Sequence, residues 1–169
     1  MLIRMKAGRN GIVEATYRMD VTEFRVFATM LTMINPGDPA FCEYEIRVAD
    51  IIRVFNMSRD GRSYETLREA AERLVSKTMV IYHTKEDGQR YRTVVPFLAS
   101  ASSPVESRQA EAIRVSFHPD LRPYLLQLRS EYLEFDVRNV ARVQSQYSLR
   151  LYMMLRHQIN LKKTYVRYT

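Results

Sequence analysis

Between residues 62 and 98 the spacing of apolar side chains changes abruptly, and that change limits the fold more than any other feature of the chain. Over Arg62 to Lys77, Leu67, Ala70, Ala71 and Leu74 recur at helical spacing, and Asp60 or Ser63 stands where a helix start is capped. Two runs then alternate as strands, Met79 to His83 and Tyr91 to Leu98, on either side of Glu86-Asp87-Gly88. The Asp-Gly pair is a hairpin signal, because both residues tolerate the positive φ that a tight turn demands. The helix therefore leads straight into a β-ribbon.

The residues upstream complete the pattern. Asp20 and Glu23 have capping-box spacing, and Phe24, Phe27, Ala28 and Leu31 form one helical face that ends at Asn35-Pro36-Gly37-Asp38. Phe41 to Val48 reads as a short strand and Ala49 to Phe55 as a short helix, with Asn56-Met57-Ser58 as a tight connection to the next. Helix, strand, helix, turn, helix and hairpin is the order of a winged helix-turn-helix, whose second helix can enter a DNA groove beside the wing. The expected fold class is α+β, a winged helix-turn-helix with a β-hairpin wing, an extra strand and C-terminal helices. Ser100 to Glu111 lacks an apolar period and is expected to be an exposed loop. Ala112 to Phe117 is the extra strand, His118-Pro119-Asp120 opens a short helix to about Leu128, Tyr132 to Phe135 is extended, and Val137 to Leu161 is helical with a break near Gln144.

Composition narrows the class. With 169 residues, 46% of them apolar, the chain has material for one core and is expected to form a single domain over residues 1–169. No apolar run approaches the roughly 18 residues of a membrane span, so the expected compartment is the cytoplasm, without a membrane partner. Cys42 has no second cysteine, and His83, His118 and His157 are scattered, so neither a disulfide nor a metal or other cofactor is expected. The 26 basic and 19 acidic residues give a net charge of +7, and no acidic residue follows Asp136. Arg138, Arg142, Arg150, Arg156, Lys162, Lys163 and Arg167 hold the whole surplus. A one-sided positive field attracts a polyanion, although charge of this kind also serves solubility.

Four segments in order resemble the plasmid replication initiator (Rep) family, the theta-type initiators with two tandem winged-helix domains. They are the opening helix after Tyr17-Arg18-Met19-Asp20, the run Leu67-Arg68-Glu69-Ala70-Ala71-Glu72-Arg73-Leu74, Phe117-His118-Pro119-Asp120-Leu121 with its continuation through Leu128, and Ser145-Gln146-Tyr147-Ser148-Leu149-Arg150-Leu151-Tyr152. The last looks like the family's S-x-Y-S-x-R-L-Y signature. The resemblance implies an initiator that binds repeated origin sequences (iterons) in double-stranded DNA, often forms a homodimer, meets host replication proteins and can repress its own promoter. It also implies a second, base-reading winged helix, expected after Thr169, so the chain reads as the N-terminal half of an initiator.

Within that frame the outer face of the 62–77 helix carries Arg62, Thr66, Glu69 and Arg73 with Glu65 and Glu72 nearby, a mixture poorly suited to base reading along its length. Its N-terminal end differs: Ser58, Arg59, Arg62 and Ser63 suit phosphate oxygens, although a solvated ion-pair helix is the alternative. In the wing, Lys85, Arg90 and Arg92 can meet phosphate or simply keep a strand edge soluble. The expected DNA-contacting set is thus Ser58, Arg59, Arg62, Ser63, Thr66, Arg73, Lys85, Arg90, Arg92, Lys162 and Lys163. Tyr147, Leu151, Leu155 and Ile159 read as a core-facing row, and Arg150 as a structural residue bonded to a buried carbonyl or to Asp120 or Asp136. Catalysis is not expected. There is no phosphate loop, Gly8-Arg9-Asn10-Gly11 lacks its lysine, the histidines supply no nicking site for a tyrosine, and Cys42 reads as an apolar filler. Competing with a DNA-binding domain are a protein-interaction module without DNA contact, using sheet edges and the C-terminal helix, and a stand-alone repressor.

Overall fold

Asp20 closes the first helix as its spacing implies: its carboxylate accepts the Glu23 N–H at 2.8 Å, and the Glu23 carboxylate accepts the Asp20 N–H at 2.8 Å. In the computed structural model, which describes residues 1–7, 11, 15–105, 112–129 and 132–160, this helix (α1) spans Val21–Met33. It follows a strand, β1 (Leu2–Lys6), and precedes β2 (Tyr44–Arg47), α2 (Val48–Val54) and α3 (Ser63–Ser76). The ribbon is β3 (Thr78–Thr84) and β4 (Arg90–Pro96), after which come β5 (Leu98–Ser102) and β6 (Ala112–Phe117). A 3-10 turn, Pro119–Leu121, leads into α4 (Arg122–Leu125), then β7 (Tyr132–Asp136), a second 3-10 turn (Val137–Val140) and α5 (Gln146–Asn160).

The strands form three antiparallel sheets: β1 with β7, the order β2-β6-β5, and the β3-β4 ribbon. Thr16 ties the base of the ribbon to the body through paired backbone bonds with Val80 at 2.8 and 2.9 Å. Leu67, Ala70, Ala71 and Leu74 of α3 are fully buried. Phe27 of α1 stands edge-on to Phe97, between β4 and β5, and to Phe117 at the end of β6, with centroids 5.1 and 5.8 Å apart. One aromatic contact set thus joins α1 to the end of the ribbon and to the three-stranded sheet. This is the winged helix-turn-helix architecture, with the extra strand and C-terminal helices.

Several expectations change. β1 carries no turn or alternation signal strong enough to reveal it, yet it pairs with β7 from Leu2↔Asp136 to Lys6↔Tyr132. Ser100 to Ser102 belong to β5, not to a loop; they pair with β6, and the Ser100 and Ser116 hydroxyls lie 2.7 Å apart. An edge strand of small polar residues satisfies its backbone from one side and leaves its side chains in water, so no apolar period marks it. Residues 106–111 of that expected loop lie outside the described residues. The ribbon's second strand ends at Pro96, two residues early, because Leu98 already pairs with Phe117. The helix after His118 stops at Leu125, with the His118 imidazole accepting the Asp120 N–H as its cap. Among the described residues no helix is long and apolar enough to cross a membrane.

The largest correction concerns α5. It has two apolar rows at four-residue spacing, and the buried one is Leu149, Met153 and His157 rather than Tyr147, Leu151, Leu155 and Ile159. The latter are 77%, 52%, 42% and 60% exposed. Spacing alone cannot rank two equivalent rows; packing against β7 decides, with Tyr152 edge-on to Phe135 at 5.5 Å.

Candidate nucleic-acid interface

The turn between α2 and α3 is anchored from inside and open outside. Phe55 is buried, Asn56 takes φ 47, and the Met57 N–H bonds back to the Ile52 carbonyl at 3.0 Å. An asparagine tolerates that left-handed conformation at little cost. The chain then emerges, so that Ser58, Arg59, Asp60, Gly61 and Arg62 are all exposed. Asp60 organises the emerging segment by accepting the Arg62 N–H at 3.0 Å, with the Ser63 hydroxyl also 3.0 Å from its Oδ1. Ser63 faces inward: it is 7% exposed, and its hydroxyl also lies 3.2 Å from the Ser58 carbonyl. It is a cap for the turn rather than an outward donor, which removes it from the surface set. Arg59 and Arg62 take part in no ion pair among the described residues.

The rest of α3 is neutralised. Arg68 is held by Glu65 and Glu72 on successive turns. Arg73, expected on the open face, turns toward α1, with Nε 2.8 Å from Glu23 and a second nitrogen 3.3 Å from Asp20. Lys77 reaches the other Glu23 oxygen at 2.6 Å. Glu23 itself is fully buried. Burial pushes its carboxyl up, but Lys77, Arg73 and the Asp20 N–H together outweigh burial and hold it below the ordinary carboxylate value. Beside this helix, Ala101 to Val105 and the Tyr64, Glu65, Arg68 and Glu72 side chains line a groove of about 700 Å³. The outer face of α3 therefore presents carboxylates and a neighbouring strand, not a row of free donors. Thr66 remains exposed near its start.

The wing turns through a three-residue loop closed by a Gly88 N–H to Lys85 carbonyl bond of 2.9 Å, with Gly88 at φ 78 where a side chain would be strained. The register sets Tyr82 opposite Arg92 and Thr84 opposite Arg90, which places all four on one face of the ribbon. Lys85, Arg90 and Arg92 are exposed. Lys85 sits 4.1 Å from the Tyr91 ring centroid and Arg90 5.2 Å from that of Tyr82, stacking that stiffens both side chains while leaving their charge in water.

Among the described residues the basic C-terminal segment does not make one stripe. Arg138 is paired with Asp136 at 2.6 Å, and it holds that carboxyl well below the usual range. Arg150 points inward, donating to the Ala15 carbonyl at 3.0 Å and lying 4.7 Å from the Tyr17 ring centroid, so its partner is a carbonyl and neither Asp120 nor Asp136. Lys162, Lys163 and Arg167 lie outside the described residues. No group of three or more histidines, cysteines or carboxylates among the described residues could hold a metal ion.

One cation escapes sequence reasoning. Arg25 of α1 lies 5.8 Å from the ring centroid of Phe55, its Nε is buried without a hydrogen-bond partner, and it has no ion-pair partner among the described residues. Burial holds its pKa below the ordinary value. Between Phe24 and Phe27 it reads only as an off-face helix residue.

The family model described as Initiator Replication protein, WH1, matches residues 7–156. Among solved structures, the chain is similar to the Pi initiator protein crystallised in complex with iteron DNA, with 17% sequence identity and a TM-score of 0.71 over 92% of this chain and 63% of that one. This chain thus spans less than two thirds of that protein's length. A second similar structure is the WH1 domain of MSBI1.176, a replication protein isolated from a multiple sclerosis patient, with 16% identity and a TM-score of 0.44 over 61% of this chain and 76% of that one. No curated protein matches the chain.

Proposed function

The chain belongs to the replication-initiator family as its WH1 domain, and from that premise we propose that it is a non-enzymatic DNA-binding and dimerisation domain, working in the cytoplasm at repeated origin sequences. In this reading residues 1–169 are one domain of a longer initiator whose second winged helix reads bases. This half grips the sugar-phosphate backbone and fixes register. Ser58, Arg59, Arg62 and Thr66 at the mouth of α3, and Lys85, Arg90 and Arg92 of the wing, carry the contact, with Lys162 and Lys163 leading toward the second domain. Occupation of a site within its own promoter by a homodimer would repress its own synthesis.

The observation that carries the reading is the pairing pattern: Arg68 and Arg73 of α3 are neutralised by carboxylates, while Arg59 and Arg62 at its exposed start have no such partner among the described residues. An N-terminal helix end adds its own positive potential there. Fluorescence anisotropy with an iteron-bearing duplex and an unrelated duplex tests it. Affinities within about tenfold of each other, falling steeply as salt rises, are expected. Tight, salt-insensitive binding to one sequence would make this domain a base reader and support the stand-alone repressor instead.

A second reading, an interaction module without DNA contact, is favoured by the exposed Tyr147, Leu151, Leu155 and Ile159 row, which is the kind of apolar surface that marks docking. Sedimentation separates the two. A concentration-dependent dimer unchanged by DNA and by an Arg59→Glu/Arg62→Glu double change would favour interaction alone.

A further inference from the structure

We infer that the wing meets duplex DNA through the face that carries Tyr82, Arg90, Arg92 and Val94, and that Tyr82 makes a non-ionic contact with deoxyribose between phosphates held by the two arginines. This rests on the backbone-gripping role proposed above. The β3-β4 register puts alternate residues from Thr78 to Thr84 and from Arg90 to Pro96 on this face, with Val80 opposite Val94 and Tyr82 opposite Arg92. The other face is turned to the protein. Its base, Met79, Ile81 and Val95, lies in the core. Farther out, His83 stands edge-on to Tyr91 at 5.9 Å and 3.3 Å from the Thr93 hydroxyl, and the Tyr91 hydroxyl lies 3.4 Å from Asp87.

The open face matches what a DNA backbone presents. Its eight residues, four from each strand, include two arginines and no acid. Tyr82 is 39% and Val94 47% exposed. One exposed apolar side chain is ordinary on a protein surface, but two set among cations on an acid-free strand face complement a polyanion whose sugars are apolar. A second copy of the chain would bring its own arginines onto Arg90 and Arg92, like charge on like, so charge favours DNA as the occupant. Arg90 and Arg92 stand about 7 Å apart along β4, two phosphate steps of about 3.4 Å each along one DNA strand. With both guanidiniums on phosphate, Tyr82, directly across from Arg92 and with its ring centroid 5.2 Å from the Arg90 guanidinium, comes against the sugar between them. The same ring restrains Arg90 before DNA arrives, which lowers the ordering cost of the contact.

The test uses the whole chain and reads duplex affinity by anisotropy across a salt series, with sedimentation of the free protein alongside. Tyr82→Ala should weaken binding about tenfold at every salt concentration while the slope of log affinity against log salt stays that of the parent. Tyr82→Phe should bind like the parent. Val94→Thr, which keeps the shape and the strand preference, should repeat the Tyr82→Ala effect at about threefold. Arg92→Gln is the ionic comparator, and its slope should become shallower by about 0.9. Parent-like affinity in Tyr82→Ala and Val94→Thr, with the shallower slope still seen in Arg92→Gln, would overturn the inference and leave the backbone-gripping role standing. A slope shallower by about 0.9 in Tyr82→Ala would make the ring a support for Arg90 alone and also overturn it. Altered sedimentation in Tyr82→Ala with unaltered DNA affinity would assign the face to a second copy of the chain, against the inference. If the parent chain shows no salt-dependent duplex binding, the broader reading fails and this inference with it.

Discussion

At its C-terminal end α3 hands Arg73, and Lys77 just beyond it, to a carboxylate that water does not reach; at its N-terminal end the chain leaves Arg59 and Arg62 in solvent without an ion pair among the described residues. The residue types are nearly the same, yet the two ends do different work. Glu23 accepts three donors, from Asp20, Arg73 and Lys77, and in doing so locks the start of α1 to the end of α3. Charge spent on that lock cannot be offered to a ligand. A basic residue on a DNA-binding fold is therefore informative about DNA only after its acids have been found, and the mouth is the part of α3 where none has been spent.

The largest expected effect is on the lock. Glu23→Ala leaves Arg73 and Lys77 facing a cavity and should cost about 3 kcal/mol of unfolding free energy, at the low end for a broken buried pair because both cations still reach water. Chemical denaturation measures it, and a loss under about 1 kcal/mol would mean that the lock is ornamental. The same carboxyl sets an acid limb. Its folded pKa lies below the unfolded one, so its stabilisation is fully present above about pH 4.3 and is lost as pH falls through the folded value. Glu23→Gln should flatten the stability profile in that window, and a parallel profile would assign the acid limb to other groups. A smaller effect sharpens the other end of α3. Asp60→Asn keeps an oxygen for the Arg62 N–H but removes an acid from beside Arg59 and Arg62, so stability should change by less than about 0.5 kcal/mol while affinity for duplex DNA rises. Weaker binding by this variant would place the DNA elsewhere.

Much of this was legible in the residues. The capping box at Asp20, the apolar face of α3 and the Asp-Gly turn of the wing rest on local spacing, and the structural role of Arg150 on its place in the S-x-Y-S-x-R-L-Y segment; each stands in the structure. What spacing could not supply was the identity of a distant partner. Glu23 looks like an ordinary helix-cap residue until α3 arrives fifty positions later with Arg73. Arg73 has the same periodicity as an outward residue, and only the third dimension turns it toward α1. β1 needs β7, 130 residues away, to become a strand, and the two rows of α5 are equivalent until β7 covers one of them. Ser63 and Ser58 have the same chemistry, but the Asp60 turn folds one hydroxyl under and leaves the other residue in water.

The most direct measurement of the central claim compares the two ends of α3 by the salt dependence of duplex binding. Arg59→Gln/Arg62→Gln should make the slope of log affinity against log salt shallower by about 1.8, whereas Arg73→Gln should leave it unchanged and lower only the stability of the free protein. A shallower slope from Arg73→Gln, with the mouth variant binding like the parent, would contradict the account.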